Sequence, residues 1–174
     1  AFDVALHLLD ALDYCHAHDL LHRDLKPANV MIGPESRVTL MDFGLVKDLN
    51  ATVLTQEGHV VGTPRFIAPE IFKGKPQGPG VDLWAIGAIL YEMLTARRAF
   101  GGETTAEIVQ GILGRDPVPV AKYRPDLPGS IDGLIRQFLE KDAQRRGRAA
   151  ADGRRAIESW VAENPGAGGE AVQI

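Results

Sequence analysis

His22-Arg23-Asp24-Leu25-Lys26-Pro27-Ala28-Asn29 is the stretch on which the reading of this chain turns. Two later stretches answer it: Asp42-Phe43-Gly44, and Gly62-Thr63-Pro64 running into Ala68-Pro69-Glu70. Taken singly, each has an ordinary reading, because short motifs match by accident. Asp24 alone is a loop or capping carboxylate, Lys26 a solvated surface charge, Asn29 a turn residue. Asp42-Phe43-Gly44 alone is a strand end followed by a turn. The information lies in their occurring together, in this order and at these separations.

A chain of 174 residues is one domain, long enough for a real core. Its hydrophobic fraction of 45% and charged fraction of 24% are ordinary for a soluble globular protein. The net charge of −4 gives no electrostatic case for nucleic-acid or membrane binding, which argues against a small helical DNA-binding domain. With Cys15 as the single cysteine there is no intrachain disulfide, which fits a reducing compartment. No signal-peptide pattern is visible and the chain begins inside a helical pattern, so a truncated start is expected.

Around the first stretch the elements read as follows. Phe2 to His18 is an amphipathic helix with Ala5, Leu8, Leu9, Leu12 and Cys15 on one face. Cys15 reads as a small core residue. His16 and His18 sit near the helix end, where a cation suits the dipole, and read as structural or solvated, not as metal ligands. Val30 to Ile32 and Val38 to Met41 flank the turn Gly33-Pro34-Glu35-Ser36 and form a hairpin that brings Asn29 and Asp42 close together. Leu45 to Val61 is a long segment without periodicity, of the kind that is functional or disordered inside a compact domain.

Val81 to Leu94 is apolar almost all round, so it is a buried helix. Its length is too short to span a bilayer. Thr105 to Leu113 is a shorter helix stopped by Gly114, and Asp116 to Gly129 is a Pro-rich loop. Ser130 is expected to cap a helix carrying Ile131, Leu134, Ile135, Phe138 and Leu139. Asp142 and Arg146 follow, and Ile157, Trp160 and Val161 mark a last helix. The domain is expected to cover 1–163, with 164–174 a flexible Gly-rich tail or linker.

The quoted stretches fit the H-R-D-L-x-x-x-N, D-F-G and A-P-E marks of protein kinases. The chain therefore resembles the C-terminal catalytic lobe of a eukaryotic-type serine/threonine protein kinase. Its short activation segment and Ala/Gly/Arg-rich composition suggest a bacterial source. The resemblance implies a mainly α fold with short β-hairpins, part of an α+β two-lobed enzyme. No G-x-G-x-x-G loop, V-A-I-K lysine or partner glutamate occurs in these residues, so the N-terminal lobe is expected to be missing and the fragment alone inactive. Lys26-Pro27 and Gly62-Thr63-Pro64 point to serine/threonine substrates rather than tyrosine.

Phosphoryl transfer asks a protein for positioning and charge stabilisation. The resemblance makes Asp24 the base for a substrate hydroxyl and Lys26 a point cation for the transferring phosphate. Asn29 and Asp42 become oxygen ligands for magnesium, with manganese as the alternative. Met31 would lie under the adenine of ATP, its ordinary alternative being strand core. Thr63 would contact Asp24 and Lys26, and His22 would stack with Phe43 beside Gly44.

Asp82 would anchor the backbone of the catalytic loop, the ordinary alternative being a helix-start carboxylate. Glu70 would form a buried ion pair with Arg146, Arg145 and Arg148 being the neighbouring alternatives; Ala143 departs from the family's usual proline. Arg23 would grip a phosphate on the activation segment. Thr52 and Thr55 are the candidate phosphosites, and Glu57 is a partial phosphate mimic or a solvated loop residue. The expected partners are a Ser/Thr-containing protein substrate and the missing lobe, with no nucleic acid and no membrane segment in these residues; the expected location is the cytoplasm, the alternative being a parent protein tethered to a membrane outside them. The alternative function is a kinase-like scaffold without catalysis, which would have no need of Asp24, Lys26, Asn29 and Asp42.

Overall fold

Residues 1–34, 37–43, 64–146 and 149–163 are described by the computed structural model. Helix α1 (Phe2–Ala17) buries Phe2, Ala5, Leu8, Leu9, Leu12 and Cys15, the face that the helical spacing marks out. Strands β1 (Val30–Ile32) and β2 (Val38–Leu40) pair antiparallel, Val30 opposite Leu40 and Met31 opposite Thr39. Helices α2 (Pro69–Phe72), α3 (Gly80–Thr95), α4 (Thr105–Gly114), α5 (Gly129–Phe138), α6 (Ala143–Arg146) and α7 (Ala149–Glu163) follow. Short 3-10 turns form at Pro27–Asn29, Pro64–Phe66 and Val120–Lys122.

α3 is the central post. Every residue from Gly80 to Thr95 except Glu92 is buried, as a helix apolar on all sides requires. α1, α5, α6 and the Pro64–Phe66 turn pack on it, and α7 closes over α1 and α5. Phe2 meets Trp160 with ring centroids 4.4 Å apart, fastening the first helix to the last. The approach of α5 to α3 depends on Gly87, where a Cβ would stand 2.6 Å from Phe138 Cβ. No helix among the described residues is long and apolar enough to cross a membrane.

Two sequence expectations shift, and one ordinary alternative drops out. Ser130 does not cap α5: the N-cap is Pro128, with extended ψ of 150°, and Ser130 lies inside the first turn. The carboxylate in that turn, Asp132, accepts instead from the Val120 and Ala121 N–H groups, so it organises the Val120–Lys122 turn within the stretch read as plain loop. Met31 is 51% exposed, so it is not strand core. Gly114 closes α4 as its last residue, and the helix starts at a cap not singled out in the sequence. Thr104 accepts from Glu107 N–H while Glu107 accepts from Glu103 N–H.

Lys141 carries a testable cost. Its Nζ is buried without a hydrogen-bond partner among the described residues, 4.3 Å from the Phe100 ring centroid and 4.8 Å from that of Trp84. Burial pushes its pKa down to about 8. The unfolded chain, with the ordinary lysine value, binds the proton more tightly, so the penalty is full below pH 8 and fades as pH rises towards 10. Lys141→Met keeps the apolar stem against both rings. It is expected to raise stability at pH 7 by on the order of 1 kcal/mol, with the gain shrinking by pH 10. Urea unfolding at both pH values checks this; a gain that grows with pH contradicts it.

Candidate active site

The loop after α1 is built against the start of α3. α1 stops at His18, and Asp19 and Arg23 take left-handed backbone with φ of 57° and 63°. Such conformations cost a non-glycine residue about 1–2 kcal/mol each and persist where surrounding bonds hold them. At Arg23 those bonds come from Asp82, which is 1% exposed. Its Oδ1 accepts from Arg23 N–H at 2.8 Å and its Oδ2 from His22 N–H at 3.0 Å. His16 Nε2 donates to the same Oδ2 at 2.8 Å. One buried carboxylate thus ties the end of α1, the first turn of α3 and the loop backbone together, which answers the need of a buried charge for partners.

The loop's side chains then converge. Leu25 is buried, and it turns the neighbouring polar residues outward. Lys26 Nζ donates to Asp24 Oδ2 at 2.9 Å. Asn29, 5% exposed, donates through Nδ2 to the Asp24 carbonyl at 2.7 Å and to Asp24 Oδ2 at 3.2 Å. The carboxylate is therefore fixed in position by a cation and an amide. Each such charge-assisted bond is stronger than a neutral one.

The hairpin brings the second half of the site alongside. Met41 N–H donates to the Asn29 carbonyl at 2.9 Å, so Asp42 follows the residue paired with Asn29. Asp42 is exposed and takes a left-handed φ of 53°. His22 Nε2 donates to the Met41 carbonyl at 3.0 Å, and its ring meets Phe43 with centroids 4.7 Å apart, tilted by 36°. Met31 stands exposed on β1. Two oxygen-bearing side chains, Asn29 and Asp42, thus sit at one end of the hairpin. Among the described residues no three His, Cys, Asp or Glu side chains form a metal-binding group. Magnesium needs no such group, because it keeps several waters and is held by one or two carboxylates plus phosphate oxygens.

Farther off, Glu70 and Arg146 form a buried ion pair, 4% and 0% exposed. Arg145 is instead exposed, 3.8 Å from Glu140. Arg23 is exposed beside Asp24. Gly44, Thr52, Thr55, Glu57, Thr63 and Arg148 lie outside the described residues, as do Glu35, Ser36 and the 164–174 tail.

The residue that sequence reasoning passed over is His16, read only as structural or solvated. It stands four positions after Leu12 and so continues the buried stripe of α1, with its side chain 12% exposed. That placement was the available signal. His18, by contrast, is exposed, and its ring nitrogen Nδ1 bonds the Tyr14 carbonyl of its own helix.

A family model described as "Protein kinase domain" matches residues 1–152. The chain is 36% identical over 151 residues to the probable serine/threonine-protein kinase PknB of Bifidobacterium longum, covering 86% of this chain and 22% of that protein. It is 32% identical over 154 residues to the serine/threonine-protein kinase PknB of Mycolicibacterium smegmatis, covering 87% and 25%. It is 36% identical over 139 residues to the serine/threonine-protein kinase PknA of Mycobacterium tuberculosis, covering 80% and 32%. The chain spans about a quarter of the length of these relatives.

Proposed function

The chain belongs to the eukaryotic-type serine/threonine protein kinase family, and from that premise we propose that it is the catalytic lobe of an enzyme transferring the γ-phosphate of ATP to a protein Ser or Thr hydroxyl. The observation that carries this reading is the fixed carboxylate of Asp24, held by Lys26 and Asn29 on a loop anchored by Asp82. A scaffold would have no use for that arrangement.

In this reading Asp24 orients the substrate hydroxyl and accepts its proton as the oxygen attacks phosphorus. Lys26 holds Asp24 and lends positive charge to the phosphate in transit. Asn29 and Asp42 fit magnesium, since both offer hard oxygen donors at one end of the hairpin and neither is bulky. The ion, when bound, neutralises charge on the nucleotide phosphates. Met31, exposed on β1, suits the flat face of adenine. Thr63, outside the described residues, is assigned to Asp24 and Lys26 rather than to a phosphosite. A further lobe, outside these residues, covers the nucleotide from the other side.

Calorimetry with MgATP tests the metal assignment. Asp42→Asn in the full-length protein removes a ligand's charge and is expected to weaken MgATP binding by at least about tenfold, a loss on the scale of one charge-assisted contact. Residues 1–174 alone are expected to bind MgATP weakly and transfer nothing. Unchanged affinity in Asp42→Asn, or robust turnover by 1–174, overturns these assignments.

Control follows from Arg23, an exposed cation next to the base. We assign it to pairing with phosphorylated Thr55, or with Thr52 if that residue carries the phosphate, through charge-assisted bonds that order the activation segment. Glu57 supplies a weaker negative charge and a basal rate. Phosphatase-treated full-length enzyme is expected to slow on Glu57→Gln, and this slowing is expected to vanish in an Arg23→Ala background. An unchanged rate on Glu57→Gln removes the mimic.

A further inference from the structure

A cavity of about 620 Å³ is lined by the turn after α2 and by the segment that joins α5 to α6. That volume falls within the range of small-molecule sites, about 300–1,000 Å³. Gly74 takes a left-handed φ of 60°, and Lys75 N–H donates to the Glu70 carbonyl at 2.9 Å. The chain turns back there, and Lys73 and Lys75 stand exposed on either side of the glycine. Both line the cavity, together with Glu70, Glu140, Lys141 and Asp142.

The carboxylates of this cavity are already engaged. Glu70 Oε1 accepts from Arg146. Glu140 Oε1 accepts from Asp142 N–H at 3.2 Å, and Asp142 Oδ1 accepts from Gln144 N–H at 2.9 Å. Among the described residues, the amines of Lys73, Lys75 and Lys141 have no hydrogen bond or ion pair. A helix C-terminus favours cations, but α2 has four residues, so its dipole accounts for little of this.

Lys141 shows the deficit most. Its Nζ is folded back over the Trp84 and Phe100 rings, which offer a cation a π-face but no acceptor for its three donors. Burial pulls its pKa down to about 8; Asp116 and Glu140 resist the fall, and Arg146 and Lys73 add to it. Glu70 carries the opposite deficit, since its Oε2 is buried with no hydrogen-bond partner among the described residues. A donor and an acceptor without partners therefore belong to one cavity, beside two further cations.

We propose that this cavity binds a small hydroxylated phosphate monoester, its phosphate held by Lys73, Lys75 and Lys141 and one of its hydroxyls donating to Glu70. Ammonium groups are point charges without the planar fork that matches carboxylates, and a phosphate offers each of them an oxygen. The Lys141 stem is flexible, so its amine swings from the rings to the phosphate while its methylenes stay packed. None of these residues belongs to the site built on Asp24, so the proposal goes beyond the kinase reading and does not depend on it.

The test is calorimetry on the full-length protein with MgADP present to fill the nucleotide site. Three probes separate the parts: glycerol 3-phosphate, propyl phosphate without hydroxyls, and glycerol without phosphate. Glycerol 3-phosphate is expected to bind at a single site at millimolar or lower concentration, propyl phosphate more weakly, and glycerol not at all. Lys141→Met keeps the packing against both rings, so a loss of binding there is not a loss of fold. It is expected to weaken glycerol 3-phosphate binding at least about tenfold, and so is Lys73→Gln/Lys75→Gln. Lysine acetylation read by mass spectrometry places the ligand, which is expected to protect Lys73 and Lys75 severalfold in the wild type and not in Lys141→Met. No binding of glycerol 3-phosphate, or unchanged affinity in Lys141→Met, overturns the site. Equally tight binding of propyl phosphate overturns the part given to Glu70. Protection of these lysines by a phosphoserine peptide but not by glycerol 3-phosphate overturns the small ligand in favour of a protein partner.

Discussion

Replacing Arg146 with Ala is expected to destabilise the chain by about 3–5 kcal/mol, the usual cost of stripping one partner from a buried ion pair. The guanidinium is 0% exposed. It donates to Glu70 Oε1, to the Gly80 carbonyl at 3.0 Å and to the Glu140 carbonyl, and it lies 5.3 Å from the Trp84 ring centroid. Its removal leaves the Glu70 carboxylate buried without its cation and takes the arginine donors from two carbonyls. The damage extends along the chain, because those contacts join α2, α3 and the entry to α6. Glu70→Gln/Arg146→Met is expected to lose less than Arg146→Ala, since the double variant leaves no buried charge alone. Urea unfolding followed by tryptophan fluorescence gives the comparison. A loss below about 1 kcal/mol in Arg146→Ala contradicts the role drawn for this pair.

Asp24→Asn in the full-length protein is expected to lower kcat by about 10²- to 10⁴-fold, the range that a positioned general base supplies. The substitution keeps the side chain's shape. The amide oxygen still accepts from Lys26 Nζ and Asn29 Nδ2, so loop geometry and thermal stability are expected to change little. MgATP affinity is also expected to hold, because the proposal gives that contact to Asn29 and Asp42. The diagnostic result is a collapse in kcat with the melting temperature and nucleotide affinity retained. Parallel loss of all three would make Asp24 a structural residue, and near-normal turnover at saturating ATP would remove it as the base.

Outside the stretches that named the family, the hydrophobic pattern foretold much of the packing. Helical spacing in α1 marked the residues that are buried, and the continuous apolar run at 81–94 marked the central post. The pairing of Glu70 with Arg146 rather than Arg145 needed the fold, because three nearby arginines look alike in sequence and only the α6 turn selects one. Met31 was illegible for a related reason. A strand of three residues has no period long enough to separate a core face from an exposed one, and the answer depends on what packs above the hairpin. His16 escaped because its partner is sixty-six residues away on α3, and a helix-end histidine ordinarily answers to the dipole.

The central claim is phosphate transfer to serine or threonine by a lobe whose base is Asp24. Its most direct measurement is incorporation of labelled γ-phosphate from ATP by the full-length protein with magnesium, followed by identification of the phosphorylated amino acids. The account predicts label on serine and threonine, absent without a divalent metal and nearly absent in Asp24→Asn. MgATP binding with no label on either residue after prolonged incubation, or equal labelling by Asp24→Asn, would contradict it.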